Sequence, residues 1–169
     1  MSMIGNGVFD KSEKYAIKLE GGTSVVRFYK SRRSEKGKLS IRVQTGHIIW
    51  ESSQSKDVEI ITSLYDIKEV RRGKGSCDFE KWSDDAQHHD DHYCFVAFYG
   101  ADFELKTLSI VALSESEREL WMEGLDHLVK RTHSDSYITQ LLKLLHTEFI
   151  TMENKNNLIT LKDIIHQLS

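Results

Sequence analysis

The chain has 169 residues, 39% of them hydrophobic and 29% charged, with a net charge of −3. That length holds one ordinary domain, or a small domain with an appendage, and the balance excludes a disordered or fibrous chain. No apolar run nears the roughly 20 residues that a bilayer-spanning helix needs, so any membrane contact is expected to be peripheral. Met1–Tyr15 lacks the apolar stretch of a secretory signal, and Ser2 stands where a myristoylated chain carries glycine. Cys77 and Cys94 have neither metal nor redox spacing and read as reduced thiols of an intracellular protein.

Residues 1–22 read as an N-terminal extension ending in the flexible pair Gly21-Gly22. Ser24 to Tyr29 is strand-like. The basic, glycine-bearing stretch Lys30 to Lys38 is a turn. Leu39, Ile41 and Val43 alternate with Ser40, Arg42 and Gln44, the period of a half-buried strand. Thr45-Gly46 turns the chain into a third strand, His47 to Trp50, so the pattern is an antiparallel meander. Val58 to Ile61 and Leu64 to Val70 give one or two more strands. A long polar insert, Ser76 to His92, carries a short helix at Cys77 to Trp82. Strands follow at Tyr93 to Tyr99 and from Phe103 to about Leu113, around Gly100-Ala101-Asp102.

The period then changes. Ser114 and Glu117 make a capping box, and Trp121, Leu125, Leu128 and Val129 form one face of a helix ending near Lys130. About seven strands and one such helix predict a β-barrel or sandwich whose open end is plugged. Ile138, Leu141, Leu142, Leu145 and Phe149 predict a second helix, Met152 to Asn157 a polar loop, and Leu161, Ile164, Ile165 and Leu168 a third helix. Two helices about an Asn-rich loop have the layout of an EF-hand.

Charge is the strongest functional signal. Arg27, Lys30, Arg32, Arg33, Lys36, Lys38 and Arg42 face only Glu35 within sixteen residues, a local +6 that leaves −9 for the rest of the chain. A cationic loop between two strands suits phosphate, on a ligand or a membrane; the bland alternative is a solvated turn.

The meander, the cationic first loop and the helix with Trp121 resemble a pleckstrin homology domain. Tyr65 to Lys74, Asp78 to Lys81, His92 to Val96, Phe103 to Ser109 and Trp121 to Leu125 resemble the N-terminal pleckstrin domain of phosphoinositide-specific phospholipase C, most closely its gamma class. The resemblance runs from about Thr23 to the end, because those enzymes place EF-hands directly after this domain. It implies a mainly β fold: a pleckstrin homology barrel of about seven strands capped by a C-terminal helix, then a small EF-hand-like helical appendage. The implied boundaries are 23–133 for the barrel and 134–169 for an incomplete EF-hand unit.

The family's whole enzyme hydrolyses phosphatidylinositol 4,5-bisphosphate to diacylglycerol and inositol trisphosphate, using calcium in a separate catalytic domain. This chain ends before such a domain, so it is expected to have no catalytic residue and no cofactor of its own. Pleckstrin domains that grip phosphoinositides carry a Lys and then two basic residues one apart, a spacing that Lys30, Lys36 and Lys38 match. Lys38 replaces the usual Arg and loses its bidentate geometry. The loop after Trp50 usually adds more basic residues, but Glu51 to Lys56 offers only Lys56. The expected anionic-lipid surface is therefore Arg27, Lys30, Arg32, Arg33, Lys36, Lys38 and Lys56, held by charge more than by a stereospecific pocket.

Other constellations carry less. His88-His89-Asp90-Asp91-His92 reads as a solvated loop, since contiguous residues seldom converge on one metal. Trp50 and Trp121 read as core. Trp82 either anchors the insert's helix or, with Phe79, faces a lipid or a protein. In the EF-hand frame Met152, Asn154 and Asn156 fall at the first, third and fifth positions, Asn157 replaces the turn glycine and Asp163 the final Glu, so calcium binding is not expected. There is no nucleophile elbow and no phosphate-cradling glycine loop, and the net acidity argues against nucleic acid. The expected partners are a phosphoinositide-containing membrane at the cytoplasmic face, and other domains of a parent enzyme or signalling proteins. The alternative role is a protein-interaction or autoinhibitory module.

Overall fold

The computed structural model describes residues 11–101, 103–135 and 137–156. Helix α1 (Lys11–Gly21) leads into strands β1 (Thr23–Phe28), β2 (Glu35–Arg42), β3 (His47–Ser52) and β4 (Val58–Ser63). A 3-10 turn at Leu64–Asp66 precedes β5 (Ile67–Arg72), followed by two short helices, α2 (Cys77–Lys81) and α3 (Ser83–Ala86). A second such turn, Asp91–Tyr93, precedes β6 (Cys94–Ala101) and β7 (Glu104–Val111); helices α4 (Glu115–Ser134) and α5 (Tyr137–Asn156) complete the order. All strand pairs are antiparallel, in one sheet ordered β4-β3-β2-β1-β7-β6-β5. The mainly β architecture closed by a helix is the one the sequence pattern implies.

Period-two alternation decides which side chains meet. On β2, Glu35, Gly37, Leu39 and Ile41 are buried, while Lys36, Lys38 and Arg42 are exposed. The inner face packs Val25, Leu39, Trp50, Phe95 and Ile110 against Trp121, Leu125 and Leu128 of α4. Trp121 is fully buried, lies parallel to Phe95 with centroids 6.4 Å apart, and donates from Nε1 to Thr23 Oγ1 at 2.7 Å. Helix α4 begins where the sequence places its cap: Ser114 Oγ accepts from Glu117 N, and the Glu117 carboxylate accepts from Leu113 N, each at 3.2 Å. The helix runs one turn beyond Lys130, to Ser134, with buried Thr132 in that turn.

Four expectations are corrected. The described part of residues 1–22 is not an appendage: α1 places Ala16 and fully buried Leu19 in the main core. Leu19 lies over Gly124 of α4, where an added Cβ would stand 2.5 Å from Leu19 Cδ1, so the glycine lets the two helices touch. Leu64 begins a turn rather than a strand, because Ser63 caps it by accepting from Tyr65 N at 3.1 Å.

The polar Ser76–His92 insert carries the expected short helix, α2, but packs onto the sheet rather than presenting Phe79 to a partner. Phe79 and Ala86 build a second core on the sheet's outer face with Phe28, Cys94, Val96 and Val111. Buried Asp78 fastens the insert to β7, accepting from Thr107 Oγ1 at 2.6 Å and Ser109 Oγ at 2.7 Å. Finally, α5 continues through Met152–Asn156, where the sequence suggests the start of a loop. No glycine or proline breaks this stretch, and Thr147 and Thr151 bond the carbonyls four residues back, at 2.9 Å each, without ending the helix. Asn157, the third expected helix and Asp163 lie outside the described residues.

The two cysteines report on this packing. Cys77 is exposed, whereas Cys94 is buried under the insert and donates from Sγ to Asp90 O at 3.3 Å. Burial pushes the Cys94 thiol up to about 11. At pH 8 a disulfide reagent is expected to titrate one thiol in the native chain and the second only in denaturant. Immediate reaction of both would contradict the second core.

Candidate functional site

Trp121 binds Thr23 at the start of β1, while the basic loop leaves Phe28 at the strand's other end, about 17 Å away at 3.3 Å per residue. The loop therefore sits at the rim opposite α4. The β3–β4 turn joins it there: Ser53 N donates to Lys36 O at 3.1 Å. Gly37 permits this closeness, since a Cβ would meet Glu51 O and the Trp50 ring at 2.5 Å.

The seven expected lipid-binding residues divide into two groups. Arg27 and Arg32 turn to neighbouring carboxylates. Arg27 shares the inner face with the core, is 7% exposed, and pairs with Glu59 at 2.9 Å. Arg32 pairs with Glu35 at 3.0 Å. Both guanidiniums lie against the Tyr29 ring, 4.5 Å and 3.9 Å from its centroid, and Arg27 also against Trp50 at 5.6 Å. Burial leads the causes that push the Tyr29 phenol up to about 12. Arg27 is thus part of the rim's internal structure, which corrects its assignment to a free cationic surface, while Arg32 keeps a side chain that is 55% exposed with its charge turned to Glu35.

Lys30, Arg33, Lys36, Lys38 and Lys56 form the second group. All five are exposed, and none has an ion pair among the described residues. Lys36 and Lys38 belong to β2 rather than to the loop, and the alternation turns them outward on one face. Lys56 closes the β3–β4 turn in the left-handed region at φ 57°. Arg33 borders a small pocket with Lys81, Trp82, Asp84 and Asp85.

Glu35 is the residue that sequence reasoning passed over. It is 7% exposed and accepts hydrogen bonds from Ser52 Oγ, from Tyr29 OH at 3.3 Å and from Arg32 Nη1 at 3.0 Å. Ser52 Oγ in turn accepts from Gln54 N and Ser55 N at 3.2 Å each, so Glu35 ties the two rim loops together. The signal was available: inward parity places Glu35 on the core side of a strand whose cations point out. The Ser52 hydroxyl, then Arg32 and Tyr29, hold its carboxyl below the ordinary 4.5 against the opposing effect of burial. The stability that this depression confers is complete above pH 4.5 and is lost as pH falls through the depressed value. Thermal melts of the wild type and Glu35→Gln are therefore expected to differ most at neutral pH and to converge in acid; a gap independent of pH would contradict the assignment.

Phe79 is buried rather than presented to a partner, and Trp82 takes the anchoring alternative. Phe79 is 2% exposed with its ring 4.8 Å from Phe28, and Trp82 donates from Nε1 to Tyr29 O at 2.8 Å, anchoring the insert beside the basic loop. His89 meets the Phe28 ring edge-on at 5.7 Å; burial first, then the cations Lys74 and Lys36, lowers its pKa and favours the neutral form. Asp90 caps the turn by accepting from His92 N at 2.9 Å, and Asp91 pairs with Lys74 at 2.7 Å. Among the described residues no group of three or more His, Cys, Asp or Glu side chains could hold a metal, and no helix is long and apolar enough to cross a membrane.

Two curated relatives match nearly the whole chain. The rat 1-phosphatidylinositol 4,5-bisphosphate phosphodiesterase gamma-2 is 30% identical over 168 residues, 96% of this chain and 13% of its own length. The human gamma-2 protein is 30% identical over 158 residues, 92% of this chain and 12% of its own. The chain carries a pleckstrin homology domain of the phospholipase C family. Solved structures agree on the fold of this domain. The PLC21 crystal structures of S. officinalis and L. pealei superpose on 66% of this chain, and 15% of each of theirs, with TM-scores of 0.53 and 0.54 at 15% and 16% identity. No protein-family model matches the chain. The chain spans about an eighth of its curated relatives, so this phospholipase C domain is compared with one region of much longer proteins.

Proposed function

We propose that the chain is the membrane-targeting module of a phosphoinositide-specific phospholipase C, drawn to the anionic cytoplasmic face of the plasma membrane by Lys30, Arg33, Lys36, Lys38 and Lys56. The observation that carries this reading is that all five are exposed and without an ion pair among the described residues, on the basic loop, the β3–β4 turn and the outward parity of β2 at Lys36 and Lys38. Each basic residue held near an anionic surface contributes about 1 kcal/mol. Attraction of this kind needs density of charge and no fixed ligand geometry, which suits lysines on flexible stems. The parent enzyme is taken to hydrolyse phosphatidylinositol 4,5-bisphosphate in signal transduction, the substrate in its relatives' names. Calcium belongs to that enzyme's catalytic domain, and α5 opens an EF-hand-like unit that docks the following domain.

Vesicle sedimentation tests the reading. The chain is expected to pellet with vesicles containing phosphatidylserine and phosphatidylinositol 4,5-bisphosphate and to remain in solution with phosphatidylcholine alone. Equal recovery in both would overturn it.

A second reading, a protein-docking or autoinhibitory module, draws on a different place. A groove of about 330 Å³ runs between β5, the last strand of the sheet, and α4, floored by Ile67, Val70, Met122 and Leu125. A strand-edge groove accepts an extended segment by backbone pairing. Loss of regulation of the parent enzyme on Met122→Glu, with vesicle binding intact, would favour this reading.

A further inference from the structure

We infer that the Glu35 carboxylate is the built-in occupant of an anion cradle at the rim, and that it makes the domain prefer a diffuse anionic surface to an individual phosphorylated headgroup. The inference deepens the membrane reading by assigning its specificity to one residue.

The cradle is defined by what converges on Glu35. A serine hydroxyl from β3, the phenol of Tyr29 and the guanidinium of Arg32 all donate to one carboxylate that is 7% exposed. A second guanidinium, Arg27, lies against the same Tyr29 ring and is held by Glu59 at 2.9 Å. Hydroxyls and guanidiniums aimed inward from several elements are the donor set that a phosphate monoester takes, with its three acceptor oxygens and planar-fork partners. Here two carboxylates have taken those donors. A phosphate entering the rim must displace Glu35 from all three of them against like-charge repulsion, whereas a bilayer needs only the outward-facing Lys36 and Lys38 and the loop's Lys30. The same residue thus closes the inner site and leaves the outer one active.

Replacing Glu35 by glutamine keeps the side-chain shape and removes the charge. Replacing Glu59, whose side chain is 51% exposed, frees Arg27 with little risk to the fold. The test is titration calorimetry of the full chain with inositol 1,4,5-trisphosphate as the probe. Wild-type binding is expected to be weaker than about 1 mM and Glu35→Gln at least about tenfold tighter with one site, while Glu59→Gln, which leaves Glu35 in the cradle, is expected to add to the gain only on the Glu35→Gln background. Arg32→Gln added to Glu35→Gln is expected to erase the gain. Glu51→Gln removes the same charge from exposed β3 beside Lys38 and is expected to gain less than about threefold, the share due to net charge alone.

The inference is overturned if Glu35→Gln does not gain, if the gain survives loss of Arg32, or if Glu51→Gln gains as much. Should Glu35→Gln fail to fold by circular dichroism, Glu35→Ala, which empties the cradle, is tested in its place against the same outcomes. Phosphatidylserine vesicle binding, measured in parallel, separates the two readings. A tighter headgroup with no vesicle binding sinks the membrane proposal, and vesicle binding without any gain in headgroup affinity sinks the cradle.

Discussion

Deleting residues 1–22 is expected to leave the remaining chain without a cooperative fold at 25 °C. Helix α1 supplies Leu19, which is fully buried among Trp121 and Leu125, and Ala16 beside it. The Tyr15 hydroxyl donates to Glu123 and its ring stacks on His127 with centroids 5.1 Å apart, so the helix is fastened to α4 at its edge as well. Leu19→Ala alone should cost about 2–5 kcal/mol, the range for emptying a well-packed leucine site. A domain of this size holds only about 5–15 kcal/mol in total, and removing the helix also bares the apolar face of α4 beneath it. Urea denaturation of the intact chain, Leu19→Ala and the truncated chain reads the effect directly. A truncated chain with the wild-type midpoint would restore residues 1–22 to the status of an extension.

Neutralising Lys30, Lys36 and Lys38 together with glutamine is expected to weaken binding to phosphatidylserine vesicles by about a hundredfold. Three residues at about 1 kcal/mol each account for that factor, since 1.4 kcal/mol is a decade. All three are exposed, and Lys36 and Lys38 stand on the outward parity of β2, so stability should change by less than about 0.5 kcal/mol. The difference between variant and wild type should shrink as salt is raised, because these charges face water and are screened beyond about 8 Å at physiological ionic strength. Loss of binding accompanied by a fallen melting temperature would assign the lysines a structural role instead.

Much of the fold was legible because it obeys a period. The strand alternation of Leu39, Ile41 and Val43, the Ser114 cap and the Trp121 stripe each name their element without tertiary help. The failures have a common cause: the deciding partner is distant in sequence. Leu19 reads as part of a polar extension until α4 is beside it with a glycine at the contact. The insert from Ser76 to His92 is polar in composition, yet Phe79 and Ala86 are enough to cover β1, β6 and β7 once Asp78 is fastened to Thr107 and Ser109. The tail failed differently, since asparagines at 154 and 156 suggested a loop that nothing in the local sequence enforces.

The candidate site was half legible for a related reason. Composition finds a cationic segment, but parity sorts it. Arg27 and Glu35 are register partners facing inward, and Lys36 and Lys38 face outward. The sum of +6 counts Arg27 and Arg32 alongside the free lysines, although those two arginines are held by Glu59 and Glu35. The attraction to a membrane accordingly rests on fewer cations than the sequence advertises.

The orientation of the chain on a bilayer tests the central claim most directly. With Cys77 replaced by serine and Cys94 protected by burial, a nitroxide placed at Ser31 in the basic loop is compared with one at Asp126 on α4, the opposite end. On phosphatidylserine vesicles the label at 31 is predicted to lose access to a water-soluble relaxation agent and gain access to oxygen, while the label at 126 keeps its aqueous exposure. Protection at 126 with free exposure at 31 would mean that the bilayer is met by another face, and the cationic rim would no longer be the membrane surface of this domain.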